Sequence, residues 1–452
     1  MLRAIARPMV RVVERWLPDS MVFAVILTFI VAAMCFGLTE SSTLEIVRGW
    51  GDGLAGLLEF MTQICLVLLL GYTLANTGPV YRMLRSISRI PSSPAAAYAF
   101  VTLVAGLASL VSFGIGLIIG GIMAVQVARS ARERGVRLHY PLLVACAYSG
   151  FVVWHMGYSG SGPLAAATPG DFFEELAPLV PVTETIFAWW NILAIVLVLG
   201  VTIAGMVLLA PKGEDRIVEF DSDAASDDGG PIQAAPGERE SRGPADSLNG
   251  SRAVTTIIGV ALIVYLVVYF VQDGLALTFD IVNWSFLAVI LLFVRNAAHL
   301  GALIADAGKT VGPVLLQYPF YAGIIGMMTV TGLVEILASF FVNISTPGTL
   351  GVFTMLFAGL VNMFIPSGGG QFAVQAPIFI EAANQLDVEH EVVIMAIAYG
   401  DQWTNMIQPF WAIPLLAVAG LGIRDILGYT TITLFLSGAV MIGVLLFLGA
   451  GL

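Results

Sequence analysis

Charge is what this sequence has least of. Only 11% of its 452 residues are Asp, Glu, Lys or Arg, against 58% hydrophobic, whereas a soluble domain carries roughly 25% charged residues. So few polar groups cannot cover a water-facing surface, which excludes a soluble enzyme, a nucleic-acid binder and a disordered chain. Cysteine is scarce as well. Cys35, Cys65 and Cys146 are an odd number, all in apolar stretches, and form neither a disulfide framework nor a thiolate metal site. Lys and Arg are missing from the long apolar runs, so an anion held there meets no cationic side chain. What the chain does have is apolar runs and 48 glycines, the composition of a protein built for a bilayer.

The charges that exist are bunched. Residues 211–252 hold ten acids and five bases among Asp, Ser, Gly and Pro, which reads as an acidic, disordered cytoplasmic linker. Elsewhere basic clusters alternate with acidic or neutral loops. Arg3, Arg7, Arg11 and Arg15 precede the first apolar run and place the N-terminus in the cytoplasm by the positive-inside rule. No small-residue cleavage site ends that run, so the first helix is expected to be retained. Spans are expected at 21–38, 54–75, 140–166, 185–210, 253–271, 281–294, 313–331, 392–420 and 426–450, nine in all, with a periplasmic C-terminus. Of the 20 basic residues only Arg48 falls outside on this map.

Two apolar runs are flanked by loops on one side of the membrane only. The 34 residues 95–128 lie between basic clusters; as one helix they would extend about 51 Å, against a hydrocarbon core of roughly 30 Å. They must fold back, and Ser112-Phe-Gly-Ile-Gly116 is the expected turn of a re-entrant hairpin. Residues 350–380, flanked by acids, read as a second hairpin entering from outside. The regions also match in sequence: Ser109-Leu-Val-Ser112 with Gly359-Leu-Val-Asn362, Ala145-Cys-Ala-Tyr148 with Ala396-Ile-Ala-Tyr399, and Pro163-Leu-Ala with Pro414-Leu-Leu. Residues 1–210 and 272–452 are therefore expected to be an inverted repeat, with 253–271 as the connecting helix. Such repeats with interrupted helices organise secondary transporters. The expected fold is an all-α polytopic membrane protein of about nine transmembrane helices plus two hairpins.

The interruptions supply the candidate site. Ile365-Pro-Ser-Gly-Gly-Gly-Gln371 would expose unsatisfied backbone in lipid, so it belongs against protein or a cavity. Its free amides at Gly368 and Gly369, with the Ser367 hydroxyl, suit a carboxylate. Ser112 and Asn362 are expected at equivalent places in the two repeats. Ser159 and Ser161 lie in the break Gly157-Tyr-Ser-Gly-Ser-Gly-Pro163, near His155. The segment 399–408 gathers polar residues in an apolar run: Tyr399 and Asn405 are further substrate candidates, and Asp401, Gln402 and Thr404 are candidates for cation or proton coupling. An ionisable residue in a span is functional by default, so Asp401 leads. Gly157-Tyr-Ser159-Gly160 also fits the Gly-x-Ser-Gly pattern of intramembrane serine proteases, but His299 and His390, the histidines after it, fall in loops away from that serine. No catalytic residue, cofactor or metal is expected beyond Na⁺ as a coupling ion.

Several motifs in order, Arg15-Trp-Leu-Pro-Asp19, Trp50-Gly-Asp-Gly53, Ser159-Gly-Ser-Gly-Pro-Leu-Ala-Ala-Ala-Thr-Pro-Gly170, Pro366-Ser-Gly-Gly-Gly370, Met395-Ala-Ile-Ala-Tyr-Gly400, Gln408-Pro-Phe-Trp411 and Gly420-Leu-Gly-Ile-Arg-Asp425, resemble those of bacterial short-chain fatty acid transporters. That family includes the acetoacetate and butyrate permease of enteric bacteria. Asp401 departs from it, since the family often has Glu there. The resemblance implies uptake of small monocarboxylates across the bacterial inner membrane and a relation to the wider ion-transporter superfamily. An elevator motion and a homodimer follow from that analogy. The expected activity is cation-coupled import by Na⁺ or H⁺, with an anion channel as the alternative and the protease as a remote one; bilayer lipid and the substrate are the expected partners, and nucleic acid is not.

Overall fold

The computed structural model describes residues 20–170, 172–211, 217–220, 243–363, 365–408 and 410–449. Every regular element among them is helical. Arg3, Arg7, Arg11 and Arg15 and most of the expected acidic linker lie outside the described residues. Among the described residues, 8 helical stretches are long and apolar enough to cross a bilayer, the interrupted Tyr140–Ala167 stretch included. Shorter apolar helices such as Phe279–Phe293 accompany them. Arg252–Gln272 exposes Ile257, Ile258, Val264, Val267 and Val271. An outward apolar face of that size is stable against acyl chains and not against water.

Five short helices were not expected: Thr43–Gly53, Gly78–Ile87, Ala297–Ala307, Leu333–Ile344 and, within the stretch expected to be a disordered linker, Pro244–Gly250. The first two carry charges that break a hydropathy window while their apolar residues share one face. Local side-chain capping starts two of these elements, Thr43–Gly53 and Ala297–Ala307. The Ser42 hydroxyl accepts the Glu45 amide at 3.3 Å and the Glu45 carboxylate accepts the Ser42 amide at 2.7 Å, a reciprocal cap that holds the Glu45 carboxyl below its usual range. Asn296 accepts the His299 amide at 2.8 Å and opens Ala297–Ala307. Thr43–Gly53 then lies along Gly312–Thr331, with Gly49 and Gly53 against Gly323 and Gly326; glycine on both faces lets the backbones approach. The expected span 54–75 accordingly begins only at Leu58.

Ile217–Phe220, inside the stretch expected to be loose, is held against the protein. Tyr140 donates its amide to the Val218 carbonyl at 2.8 Å, and the Val218 amide donates to His139 Nδ1 at 3.0 Å. Phe220 is buried on the Tyr140 ring. Apolar Ile217, Val218 and Phe220 within an otherwise acidic run explain why this part docks.

The helix order from Leu58 to Leu208 recurs from Gly312 to Gly449: a long helix, a short one, a pair meeting at a polar turn, an interrupted helix and a long helix. The first pair is Pro94–Val111 with Phe113–Glu133, and the second is Leu350–Asn362 with Gly368–Leu386. Each interrupted helix packs on the first member of its pair through one glycine. A Cβ on Gly150 would meet Thr102 O, Ala105 Cβ and Gly106 N; one on Gly400 would meet Met355 O, Ala358 Cβ and Gly359 N. The two sets have the same atoms at the same spacing. This register corrects one expectation. With Gly106 opposite Gly359, the counterpart of Asn362 is Ser109 and not Ser112. Ser112 precedes the return helix as Ser367 does. The physical reason is turn length: one residue links the first pair, whereas residues 363–367 link the second.

Candidate functional site

The first interrupted helix runs as Tyr140–Gly150, tightens to a 3₁₀ turn over Phe151–Met156, opens at Gly157, and resumes as Ser161–Ala167. The Tyr158 amide donates to the Leu110 carbonyl at 2.7 Å, which fixes this break to the end of Pro94–Val111. The second runs as His390–Thr404 and resumes at Ala412–Ala419. The two helices touch at their breaks. The His155 amide donates to Gln402 Oε1 at 2.9 Å, His155 Nδ1 lies 2.7 Å from Asp401 Oδ2, and the Tyr148 hydroxyl donates to the Asn405 carbonyl at 2.7 Å.

His155 and Asp401 are both fully buried. Among the described residues Asp401 is the only buried Asp, Glu, Lys or Arg. The tautomer follows from the neighbours. The Gly162 amide donates to His155 Nε2 at 3.0 Å, so Nε2 keeps its lone pair and Nδ1 carries the hydrogen that Asp401 accepts. Ser161 Oγ stands 3.2 Å from the same Nε2. Asp401 Oδ1 has no protein partner. Serine, histidine and aspartate in this order are the residue types of a hydrolytic triad. Here the lone pair that would act as base is already engaged by Gly162. Ser159, the serine of the Gly-x-Ser-Gly pattern, is buried and has no hydrogen-bond partner at its hydroxyl.

A second polar knot lies at the other break. Asn362 Nδ2 is within 2.8 Å of the Asp401 carbonyl, 2.9 Å of Thr404 Oγ1 and 2.7 Å of Asn405 Oδ1. Thr404 in turn donates to the Gly359 carbonyl at 2.9 Å. This knot ties Leu350–Asn362 to the interrupted helix. Tyr399, expected at the substrate, instead donates to Asn191 Oδ1 at 2.9 Å and is fully buried. Ser112 is buried against Gly71 with no partner for its hydroxyl.

All four interruptions meet around one cavity of about 280 Å³. Phe113 and Gly114 come from the first turn, Trp154 and Ser161 from the first break, Pro366 to Gly369 from the second turn, and Phe410, Trp411, Ile413 and Pro414 from the second break. Leu58–Ala75 and Gly312–Thr331 close it with Ile64, Leu68, Tyr72, Val314, Gln317 and Tyr318. Of the residues singled out in the sequence, Ser161, Ser367, Gly368 and Gly369 line it. Asp401 and Gln402 stand behind the wall through His155, while Asn362, Thr404 and Asn405 form the separate knot. The lining is mostly apolar and includes no Lys or Arg. Ser367 caps Gly368–Leu386 by accepting the Gly370 amide at 3.3 Å; the Gly368 and Gly369 amides precede the intrahelical ladder. A side chain on Gly368 would run into Trp154 and Ser161, and one on Gly369 into Tyr318. The indole N–H groups of Trp154 and Trp411 have no protein acceptor.

Reading the sequence missed His155, Trp154, Phe113 and Trp411 as site residues. His155 had a signal: it is the sole histidine inside an expected span, and a second ionisable group in a membrane core should be sought as a partner for Asp401. The aromatics had none, because Phe and Trp in apolar runs pass for ordinary core.

The chain is similar to known proteins along nearly its whole length. A model described as "Short chain fatty acid transporter" matches residues 1–448. A protein of Escherichia coli K12 named for short-chain fatty acid transport is 40% identical over 449 residues, covering 99% of this chain and 100% of that one. One of Haemophilus influenzae with the same name is 35% identical over 463 residues, covering 99% and 100%. Among solved structures, the YdaH transporter of Alcanivorax borkumensis superposes with a TM-score of 0.62 at 15% identity, covering 96% of this chain and 99% of that one. MtrF of Neisseria gonorrhoeae, titled as one of a class of antimetabolite efflux pumps, gives 0.53 at 14% identity, covering 98% and 97%; both share the fold. With an all-helical membrane architecture, a cavity at its interruptions and a family match along nearly its whole length, this chain is a multi-pass bacterial membrane transporter that belongs to the short-chain fatty acid transporter family.

Proposed function

We propose that the protein imports short-chain monocarboxylates such as butyrate and acetoacetate, coupled to inward movement of Na⁺ or H⁺. The observation that carries this reading is the cavity: apolar walls for a short acyl tail, without a basic side chain, beside the unpartnered indole N–H groups of Trp154 and Trp411 and the start of helix Gly368–Leu386 at Gly368 and Gly369. A single carboxylate can be held by amides and a helix N-terminus, whereas a polyanion there would lack compensating charge. On the scale by which a cavity of about 150 Å³ holds benzene, 280 Å³ would take roughly eleven non-hydrogen atoms. Butyrate has six and acetoacetate seven, so both fit with room to spare.

In this reading residues 1–210 and 272–452 are oppositely oriented repeats joined by helix 253–271, and the paired helices are re-entrant hairpins. The recurring helix order and the matched approaches of Gly150 and Gly400 support it. The N-terminus is cytoplasmic and the C-terminus periplasmic in the inner membrane. The interrupted helices and hairpins move as a unit against Leu58–Ala75 and Gly312–Thr331 in an elevator-type homodimer. Uptake by proteoliposomes, compared for acetate, butyrate, hexanoate and acetoacetate with and without Na⁺, tests the proposal. Saturable uptake driven by a cation gradient supports it; flux that rises linearly with concentration and ignores both gradients points to a channel.

A further inference from the structure

Two groups that can exchange protons, His155 and Asp401, sit in contact inside the membrane domain and are joined to the cavity by one hydroxyl. We infer that they form a proton-binding site opening onto the cavity through Ser161, so that the coupling cation is H⁺; this rests on the coupled-import reading above.

The hydrogen-bond directions point to a proton. Nδ1–H faces Asp401 Oδ2 and the Gly162 N–H faces Nε2. Asp401 as carboxylate then has one buried oxygen, Oδ1, with no partner, a form that a low-dielectric interior disfavours unless a cation joins it. A metal ion needs several oxygen ligands. Here the Nδ1–H already faces Asp401 Oδ2, and no group of three or more His, Cys, Asp or Glu is assembled among the described residues. A proton needs only the two side chains already present.

The neighbours add little competing charge. The Tyr318 phenol on Gly312–Thr331 lies within electrostatic range of Asp401. The helix Gly368–Leu386 places Gly368 against the imidazole edge, and Trp154 stacks on the ring at 4.2 Å. Gln402 meets the His155 backbone and is neutral. Among the described residues no other Asp, Glu, Lys or Arg is buried.

The transfer balances. A proton from the cavity bonds to His155 Nε2 while the Nδ1 proton passes to Asp401. The products are a neutral acid and a neutral imidazole carrying its hydrogen on Nε2, one proton richer in total. In that state Nε2 is a donor and Ser161 Oγ becomes its acceptor, while the Gly162 amide loses the acceptor it had. Loading the proton therefore rearranges the Gly160–Gly162 break that walls the cavity, which ties the protonation step to the shape of the site.

The test uses the full chain in proteoliposomes. For each variant it measures the ratio of labelled butyrate uptake with an inward pH gradient to uptake without one, in Na⁺-free buffer. The wild type should give a ratio of about ten or more, unchanged by adding Na⁺. His155→Gln and Asp401→Asn should each bring it close to one. A His155→Gln protein that keeps the wild-type ratio, or a wild type driven by Na⁺ and indifferent to pH, overturns the assignment. Proton exchange on butyrate binding to the detergent-solubilised wild type, followed with a pH indicator in weak buffer, does not depend on variants folding. One proton taken up per butyrate is expected, and none contradicts the inference. Counterflow of butyrate by the wild type separates the two claims, because its absence refutes the carrier reading itself, whereas its presence without a pH effect refutes only the proton site.

Discussion

The two interrupted helices share a backbone plan and differ in how their breaks are filled. At the second, Asn362 ties the carbonyl of Asp401 and the side chains of Thr404 and Asn405 to the paired helix. At the first, the counterpart of Asn362 is Ser109, which bonds only within its own helix, to the Ala105 carbonyl at 2.7 Å. Ser112 and Ser159 there have no partners for their hydroxyls, and a histidine reaches across to the other helix. One break is knotted and the other is left adjustable. A break tied across to its paired helix by the Asn362 amide holds its shape although Asn362 Oδ1 and Asn405 Nδ2 stay without partners, whereas one with spare hydroxyls and a shared imidazole can exchange partners at small cost.

That contrast can be broken or sharpened by substitution. The largest effect should come from Asp401→Asn, which keeps the size of the side chain and removes its charge. Cation-driven uptake should fall about tenfold or more while the protein still inserts; full activity in this variant would remove Asp401 from coupling. Next is Asn362→Ala, which leaves buried carbonyl and amide groups unsatisfied and should cost about 3 kcal/mol, read as a lower melting temperature in detergent. Ser109→Ala should cost about 1 kcal/mol or less, and equal losses at the two positions would erase the contrast between the breaks. Gly150→Ala and Gly400→Ala should each destabilise by about 1–3 kcal/mol through overpacking, and by similar amounts, because the three atoms facing one glycine correspond in type and spacing to the three facing the other. The smallest effect belongs to Tyr399→Phe. Losing the bond to Asn191 should cost about 1 kcal/mol without raising the KM for butyrate, whereas a raised KM would return Tyr399 to the substrate site.

The positions of the interruptions were legible in the sequence because glycine, proline and isolated polar groups are costly inside a lipid-exposed helix and persist where the helix breaks against protein or a cavity. Ser112 ends one helix and starts the next as expected, and Gly368 and Gly369 line the cavity. The short amphipathic helices were not legible, since a hydropathy window averages over both faces of Thr43–Gly53. Nor was the register of the repeat. Matching Ser112 to Asn362 by sequence took the two turns to be of equal length, and only the packing of Gly150 and Gly400 shows that they are not. Pairing was the hardest to read. His155 and Asp401 are 246 positions apart, and nothing local in either segment signals that the two helices cross there.

The central claim is that the cavity between the four interruptions is the site for a monocarboxylate, and competition in counterflow tests this most directly. Proteoliposomes loaded with butyrate would exchange it for labelled butyrate in the presence of straight-chain acids of increasing length. The expected result is saturable exchange, competition that strengthens from acetate to butyrate, and loss of competition beyond about nine carbons, where the acid outgrows a cavity of 280 Å³. Exchange that does not saturate, or competition indifferent to chain length, would contradict it.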